Sequence, residues 1–256
     1  MLLWSTLVGR TGVPIVILPG AYSNAHDLPL NFVARLTGPY GRQRVLLLDH
    51  RESGQSLWRY PTPYTLDDMA DDVLDVLDAH NFERASLLGI SMGGAIAQRL
   101  AVRAPERVHS LSLLMTTPGR GIWDDDLPRP SSRVLDGMQR EIACYQRREL
   151  RRGLIERWAT HGSRADERRV VRVLRQGLNP SAQHAQALRS SPSRVETLGE
   201  IRCPTRIVHG RQDEMFPLPH AEALRDGISG ATLRVVESAG HDIEEANAHA
   251  WADALM

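Results

Sequence analysis

Lysine is absent from the sequence, since all 31 basic residues are arginine. We attribute this absence to genomic base composition rather than to function. Cysteine is scarce as well, with Cys144 and Cys203 as the only two. Two cysteines provide neither a disulfide framework nor a metal-ligand pattern. We therefore expect two reduced thiols in a cytoplasmic protein.

Long apolar runs and an excess of charge of either sign are also missing. No apolar stretch approaches the ~20 residues that cross a bilayer. The first residues show neither the basic region nor the cleavage site of a signal peptide. Because 31 acidic residues balance the arginines, the formal net charge is zero. These features favour neither nucleic acid nor a membrane as a partner, so we expect a small-molecule substrate and leave the oligomeric state open.

The charge is nevertheless segregated along the chain. Residues 120–194 contain 16 arginines and 9 acidic residues, whereas the remainder contains 15 arginines and 22 acidic residues. This segregation suggests two structural layers. We interpret arginine pairs such as Arg147–Arg148 as part of a solvated helical face, with an anion-binding surface as the alternative.

Short apolar runs alternate with helical patterns through much of the chain. The runs are apolar nearly throughout, as expected of strands that are covered on both faces. Between the second and third runs, Thr65 and Asp68 form a capping-box pattern that begins an amphipathic helix. The alternation predicts an α/β fold with a doubly wound, mostly parallel sheet. The predicted strands are residues 13–18, 44–49, 85–90, 108–115, 205–210 and 231–237.

The alternation stops between Pro118 and about Leu198, where the sequence predicts several arginine-rich helices. Helices inserted between two core strands are expected to cover the carboxyl edge of the sheet, where open α/β sheets bind ligands. We therefore predict a core of residues 1–117 and 199–256, and a helical cap of residues 118–198.

One serine lies at a turn between the third predicted strand and a helix. The stretch Gly89-Ile90-Ser91-Met92-Gly93 matches the pattern G-x-S-x-G. A nucleophilic serine needs such a sharp turn, and side chains two residues away on either side would clash. The amides at the start of the following helix favour developing negative charge. We interpret Ser91 as a candidate nucleophile, with a purely structural turn as the alternative.

A serine hydroxyl needs a base, and the base needs an orienting partner. Two further strand ends supply these groups: Asp213 follows the strand at 205–210, and His241 follows the last strand. Asp213 could instead cap a turn or helix, and His241 could be a capping or surface histidine. The rival acid would come from Asp124–Asp126, after the strand at 108–115.

Together these motifs resemble those of the α/β-hydrolases. Besides the serine turn, DHRESGQS at residues 49–56 resembles the family's D-x-R-G-x-G-x-S loop. GRQDEMFP at residues 210–217 resembles its G-x-x-D-x-x-x-P acid motif. The resemblance covers most of the chain and implies the α/β-hydrolase fold with an inserted cap.

The resemblance also implies a role for each matched residue. Ser91 would attack a carbonyl carbon, His241 would accept the serine proton, and Asp213 would orient the imidazole. The backbone N–H groups of Met92 and Ala21 would form the oxyanion hole. No histidine or carboxylate cluster has the spacing of a metal site, and we expect no metal or other cofactor.

The sequence departs from the family pattern at three points. Pro19 replaces the usual histidine of the His-Gly pair, which removes a side chain that supports the oxyanion loop. Glu52 replaces a loop glycine, and we expect it to be a tolerated surface change. The family's leading hairpin is expected to be truncated or reduced to one short edge strand within residues 1–8.

Other residues are singled out only by their position near these strand ends. Candidate pocket residues are Tyr22, Trp123 and Met215. Three histidines could also line the pocket, although structural or solvent-facing roles are favoured; these are His26, His50 and His209.

The expected activity is that of a serine hydrolase. We expect an acyl-enzyme formed from a small or medium ester, thioester or lactone. One alternative is a lyase or C–C bond hydrolase in which His241 acts as base on an anionic substrate. A second alternative is a non-catalytic, receptor-like binding protein of the same fold.

Overall fold

A computed structural model describes residues 3–21, 23–56, 63–119, 126–147, 149, 152–153, 155–156 and 183–256. Within these residues, one sheet of seven strands has the order β1-β3-β2-β4-β5-β6-β7. The strands are β1 (Ser5–Val8), β2 (Thr11–Leu18), β3 (Gln43–Leu48), β4 (Ala85–Ile90), β5 (Val108–Leu114), β6 (Thr205–Gly210) and β7 (Thr232–Val236).

The sheet is parallel except at one edge. Strand β1 pairs antiparallel with β3, which confirms the prediction of a single short edge strand near the start of the chain. From β2 the chain first adds β3 on one side and then returns to add β4 on the other. Loops that follow the strands on either side of such a switch point open a crevice at the carboxyl edge of the sheet. Here those loops follow β2 and β4, whose last paired residues are Leu18 and Gly89.

Helices connect the strands, as the alternation predicts. The described helices are α1 (Leu30–Thr37), α2 (Leu66–Ala79), α3 (Met92–Arg103), α4 (Ser132–Gln146), α5 (Gln183–Ser190), α6 (Pro219–Gly227) and α7 (Ala248–Leu255). The capping box of α2 is formed as predicted, because the Thr65 side chain accepts a hydrogen bond from the backbone N–H of Asp68. The reciprocal bond from the Thr65 amide to the Asp68 carboxylate is also present.

The two faces of the sheet are covered by separate hydrophobic clusters. On β2, Val16 and Leu18 belong to the cluster that contains side chains of α2, α3 and α6. The intervening Ile17 belongs to the opposite cluster, which contains Phe32 of α1 and the fully buried Trp251 of α7. Burial on both faces explains why the strands are apolar nearly throughout.

Helices α4 and α5 lie between β5 and β6 in the chain, where the sequence predicts a cap. Residues 120–125 and 157–182 of this span lie outside the described residues. The boundaries of the cap at 118 and 198 therefore stay a prediction. Among the described residues, no helix is both long enough and apolar enough to span a membrane.

The expectation that Glu52 is a surface change is wrong. Glu52 is only 7% exposed, and its backbone adopts a left-handed conformation with φ of 59°. This conformation explains why the family pattern has glycine here, since a side chain costs roughly 1–2 kcal/mol in it. The Glu52 carboxylate accepts a hydrogen bond of 3.1 Å from Gln183 at the start of α5. The substitution thus links the loop after β3 to the inserted helices.

Candidate active site

Ser91 occupies a strained turn between β4 and α3. Its backbone has φ of 53° and ψ of −116°, in the positive-φ region that residues with a side chain rarely adopt. Two hydrogen bonds to the end of the β5 region hold this conformation. The Ser91 amide donates to the Leu114 carbonyl at 2.9 Å, and the Thr116 hydroxyl donates to the Ser91 carbonyl at 2.6 Å.

The glycines on either side of Ser91 allow close backbone approach, as the sequence predicts. A Cβ atom on Gly89 would lie 2.5 Å from the carbonyl oxygen of Gly93. A Cβ atom on Gly93 would overlap the carbonyl oxygen of Leu18 and lie 2.7 Å from that of Pro19. The missing side chain at Gly93 therefore lets the start of α3 pack against the end of β2, and the one at Gly89 lets β4 pack against α3.

The structure brings Ser91, Asp213 and His241 together from three loops at the carboxyl edge of the sheet. His241 Nε2 lies 3.0 Å from Ser91 Oγ, and His241 Nδ1 lies 2.8 Å from Asp213 Oδ2. Because an ionised carboxylate can only accept, Nδ1 carries the proton in the neutral ring and Nε2 is left to accept from the serine hydroxyl. This arrangement can activate the hydroxyl as a nucleophile.

Asp213 is fixed by its own loop. Its Oδ1 accepts hydrogen bonds of 2.8 Å from the amides of Met215 and Phe216. Burial raises the pKa of Asp213, but the adjacent His241, His209 and the Phe216 amide more than offset this, so the pKa lies below its ordinary value. The carboxylate is therefore ionised at neutral pH and can stabilise an imidazolium on His241.

Two further side chains pack against the candidate acid and base. The Phe216 ring meets the His241 ring edge-on, with centroids 5.2 Å apart. His209 is fully buried beneath Asp213, and its Nε2 donates to the Phe216 carbonyl at 2.7 Å. Burial lowers the pKa of His209, so this ring is neutral. His209 therefore has the structural role that the sequence favours, and it closes the loop that holds Asp213.

The predicted oxyanion donors flank Ser91. A Cβ atom on Gly20 would lie 3.3 Å from Ser91 Cβ, which places the loop after β2 directly against the candidate nucleophile. Ala21 follows in this loop, and Met92 is the first residue of α3. Within the described part of the chain, neither the Ala21 nor the Met92 amide donates a hydrogen bond. Both amides stay candidates for the oxyanion donors.

The predicted pocket residues are only partly described. Met215 is buried and packs with Phe216 and with Val134 of α4. Arg133, also on α4, forms an ion pair with Glu214. These contacts dock α4 onto the loop that carries Asp213. Tyr22, Trp123, Asp124 and Asp125 lie outside the described residues.

Arginines of α4, and the arginine that directly follows it, pair with acidic residues. The Arg133, Arg140 and Arg147 side chains are more than half exposed, and each lies within ion-pair distance of a glutamate. Exposed pairs of this kind are typical of a solvated helical face. In the ranges that the structure describes, no group of three or more His, Cys, Asp or Glu side chains could hold a metal ion.

Comparisons with known proteins point to one family. A family model described as alpha/beta hydrolase fold matches residues 13–246. A rhodomycin D methylesterase of Streptomyces sp. (strain C5) is 30% identical over 93% of this chain and 88% of its own. A pimeloyl-(acyl-carrier protein) methyl ester esterase of Pectobacterium atrosepticum is 30% identical over 94% of this chain and 91% of its own.

A solved structure agrees with these relatives. A hydrolase from Pseudomonas aeruginosa PA01 has a TM-score of 0.74 and is 25% identical, with 98% of this chain and 91% of that chain covered. The seven-stranded, mostly parallel sheet with its connecting helices agrees with this fold. The chain therefore belongs to the alpha/beta hydrolase fold family.

Proposed function

We propose that this chain is a carboxylic-ester hydrolase that works through an acyl-enzyme. In this proposal Ser91 is the nucleophile, His241 the general base and Asp213 the acid that orients the base. The supporting observation is that one imidazole bridges a hydroxyl at 3.0 Å and an ionised carboxylate at 2.8 Å. This is the geometry that activates a serine, whatever the order of the residues in the chain.

Acylation follows from this geometry. Ser91 Oγ attacks the ester carbonyl carbon as His241 Nε2 takes the hydroxyl proton, and Asp213 stabilises the imidazolium that results. The Ala21 and Met92 amides donate to the oxyanion of the tetrahedral intermediate. When the intermediate collapses, the carbonyl re-forms and the ester C–O bond breaks. His241 gives its proton to the departing alcohol, which leaves Ser91 acylated.

Deacylation repeats these roles with water. His241 Nε2 accepts a proton from a water molecule as the water oxygen attacks the acyl carbon. The second intermediate expels Ser91 Oγ, which recovers its proton from His241. The products are one carboxylic acid and one alcohol, and the enzyme returns to its starting state.

We further propose that the leaving alcohol is small. The two relatives described above are named as esterases that act on methyl esters. A methyl ester with a medium-sized acyl part is therefore the first substrate class to test for this chain. Thioesters and lactones share the reacting carbonyl, and the same residues would act on them.

A substrate panel in ¹⁸O-labelled water tests the proposal. The panel comprises methyl esters, p-nitrophenyl esters, thioesters and lactones of matched acyl length, together with one diketone-type substrate. We expect turnover of the methyl esters, with one labelled oxygen in the acid and none in the methanol. Added ethanol should divert part of the product to the ethyl ester, because a shared acyl-enzyme partitions between the two nucleophiles.

Three results of this experiment would contradict the proposal. Elimination products without a labelled oxygen would indicate a lyase. Cleavage confined to C–C bonds of a diketone-type substrate would indicate a C–C bond hydrolase. Saturable binding of the esters without any product would indicate a binding protein.

A further inference from the structure

His50 contacts the loop that carries the proposed oxyanion donor Ala21. It lies in the loop after β3, next to the loop after β2, because β2 and β3 are adjacent parallel strands. His50 is fully buried, and its Nε2 lies 3.1 Å from the carbonyl oxygen of Pro19. The sequence assigns no specific role to this histidine.

The proton position on His50 follows from its partner. A carbonyl oxygen can only accept a hydrogen bond, so Nε2 carries the hydrogen and donates to Pro19. Burial and the neighbouring His184 lower the pKa of His50 to about 3, so the ring is neutral at working pH. Its Nδ1 is buried and has no hydrogen-bond partner among the described residues. The polar function of His50 is thus directed at the Pro19 carbonyl.

The His50 ring is held in place from the inserted helices. His184 of α5 meets it edge-on, with ring centroids 6.5 Å apart. His184 is itself fixed, because its Nε2 donates to the Arg51 carbonyl at 2.8 Å. Asp49, which directly precedes His50 in the chain, accepts a hydrogen bond of 2.7 Å from the amide of Ala25 in the loop after β2. The loops after β2 and β3 are therefore joined by this bond as well as by the bond from His50 to Pro19.

The bond restrains the backbone two residues before Ala21. The proline ring fixes φ of Pro19, whereas ψ, which sets the direction of the carbonyl, stays free to rotate. Gly20 has no side chain to restrain the next peptide. The bond from His50 fixes the Pro19–Gly20 peptide, and the Gly20 carbonyl accepts a hydrogen bond of 3.2 Å from the Ser23 amide, which orients the next peptide. Together the two bonds hold the segment that carries the Ala21 amide.

We propose that His50 is a positioning residue for the oxyanion hole: its Nε2–H holds the Pro19 carbonyl so that the Ala21 amide faces the oxyanion. This inference rests on the proposed function, because it needs Ala21 to be an oxyanion donor. It also supplies a replacement for the support that is lost where Pro19 stands in place of the family's histidine.

A matched pair of amide variants tests the proposal. In His50→Gln the side-chain amide reaches about as far as Nε2 and can still donate to Pro19. In His50→Asn the side chain is one methylene shorter, so its amide falls short of that carbonyl. His50→Phe keeps a buried ring without a donor and is the second variant if asparagine prevents folding. Circular dichroism and the unfolding midpoint identify the folded variants.

Ester kinetics give the first readout. Loss of a whole oxyanion donor costs roughly 100- to 1,000-fold in kcat, so a misaligned donor should cost roughly 10- to 30-fold. We expect this loss in kcat for His50→Asn and His50→Phe, with KM within about 3-fold of the parent, because the interaction forms in the transition state. His50→Gln should keep kcat within about 3-fold.

An inhibitor pair separates positioning from a general structural role. A trifluoromethyl ketone forms a charged tetrahedral adduct with the serine, whereas the matching carbinol cannot. We expect the Ki of the ketone to rise in His50→Asn by about the same factor as kcat falls, with no change for the carbinol. A purely structural role would weaken both inhibitors alike.

Each remaining outcome decides the proposal. Folded His50→Asn or His50→Phe with kcat within 2-fold of the parent overturns it, as does an equal loss in His50→Gln. If Ser91→Ala hydrolyses esters as fast as the parent, the proposed function itself fails and this inference fails with it. That result is distinguishable, because it does not depend on any change at His50.

Discussion

Ser91→Ala should lower kcat for ester hydrolysis by roughly 10⁶-fold, to the level of the oxyanion hole and substrate binding alone. Without Oγ no acyl-enzyme forms, and His241 is left with no hydroxyl to deprotonate. The fold should persist, because hydrogen bonds of the Ser91 backbone hold the turn and the serine hydroxyl does not. The Ser91 amide donates to the Leu114 carbonyl, and the Ser91 carbonyl accepts from the Thr116 hydroxyl. Initial rates with a p-nitrophenyl ester and the unfolding midpoint measure the two effects.

Ser193→Ala is the matched control for this substitution. Ser193 is exposed and lies in the segment before β6, outside the candidate site. Its removal should leave kcat within 2-fold of the parent. The same small effect in Ser91→Ala would exclude Ser91 as nucleophile, even though it occupies the turn between β4 and α3.

Asp213→Asn should lower kcat by roughly 10⁴-fold while the protein stays folded. The asparagine oxygen can still accept from the Met215 and Phe216 amides, which preserves the loop. Its NH₂ group, however, would then donate to His241 Nδ1 and drive the ring proton to Nε2. The nitrogen that faces Ser91 would no longer be a base. Steady-state kinetics and circular dichroism measure the loss and the retained fold.

Asp126→Asn distinguishes Asp213 from the rival acid region after β5. Asp126 is the described member of the Asp124–Asp126 run, whereas His241 Nδ1 lies 2.8 Å from Asp213 Oδ2. We expect kcat of Asp126→Asn to stay within 3-fold of the parent. A loss in Asp126→Asn as large as that in Asp213→Asn would show that the acid assignment is wrong.

Local sequence patterns were sufficient to place the sheet. The runs at 85–90 and 205–210 match β4 and β6 at both ends, because buried parallel strands are apolar and turn residues follow them. Strand β2 begins two residues before its apolar run, at Thr11. Those added residues are exposed and are recruited by backbone pairing with Gln43, which has no apolar signal.

The candidate site was predictable because each of its groups follows a strand. In a parallel sheet the loops after neighbouring strands lie at the same edge, so the order of residues in the chain does not have to match their order in space. The glycines around Ser91 carried a second signal, since the backbone of α3 approaches Gly89, and the end of β2 approaches Gly93, too closely for a side chain. The sequence therefore predicted which groups meet, but not the distances between them.

Contacts that depend on backbone carbonyls were missed. A sequence does not indicate where the carbonyl of Pro19 points. His50 lies 31 residues further along the chain, and no motif links the two positions. The loss of the family's histidine at Pro19, together with a histidine just after the end of the neighbouring strand β3, was the one available signal. For Glu52 the family glycine could have predicted the left-handed backbone, but its burial depends on Gln183 of α5.

The most direct test of the central claim is rapid-quench mass spectrometry of the parent enzyme with a slowly hydrolysed ester. We predict an acyl adduct that forms on the peptide containing Ser91 and decays at the rate of acid release. Turnover without any adduct on this peptide, or an adduct on another residue that decays at the turnover rate, would contradict the account.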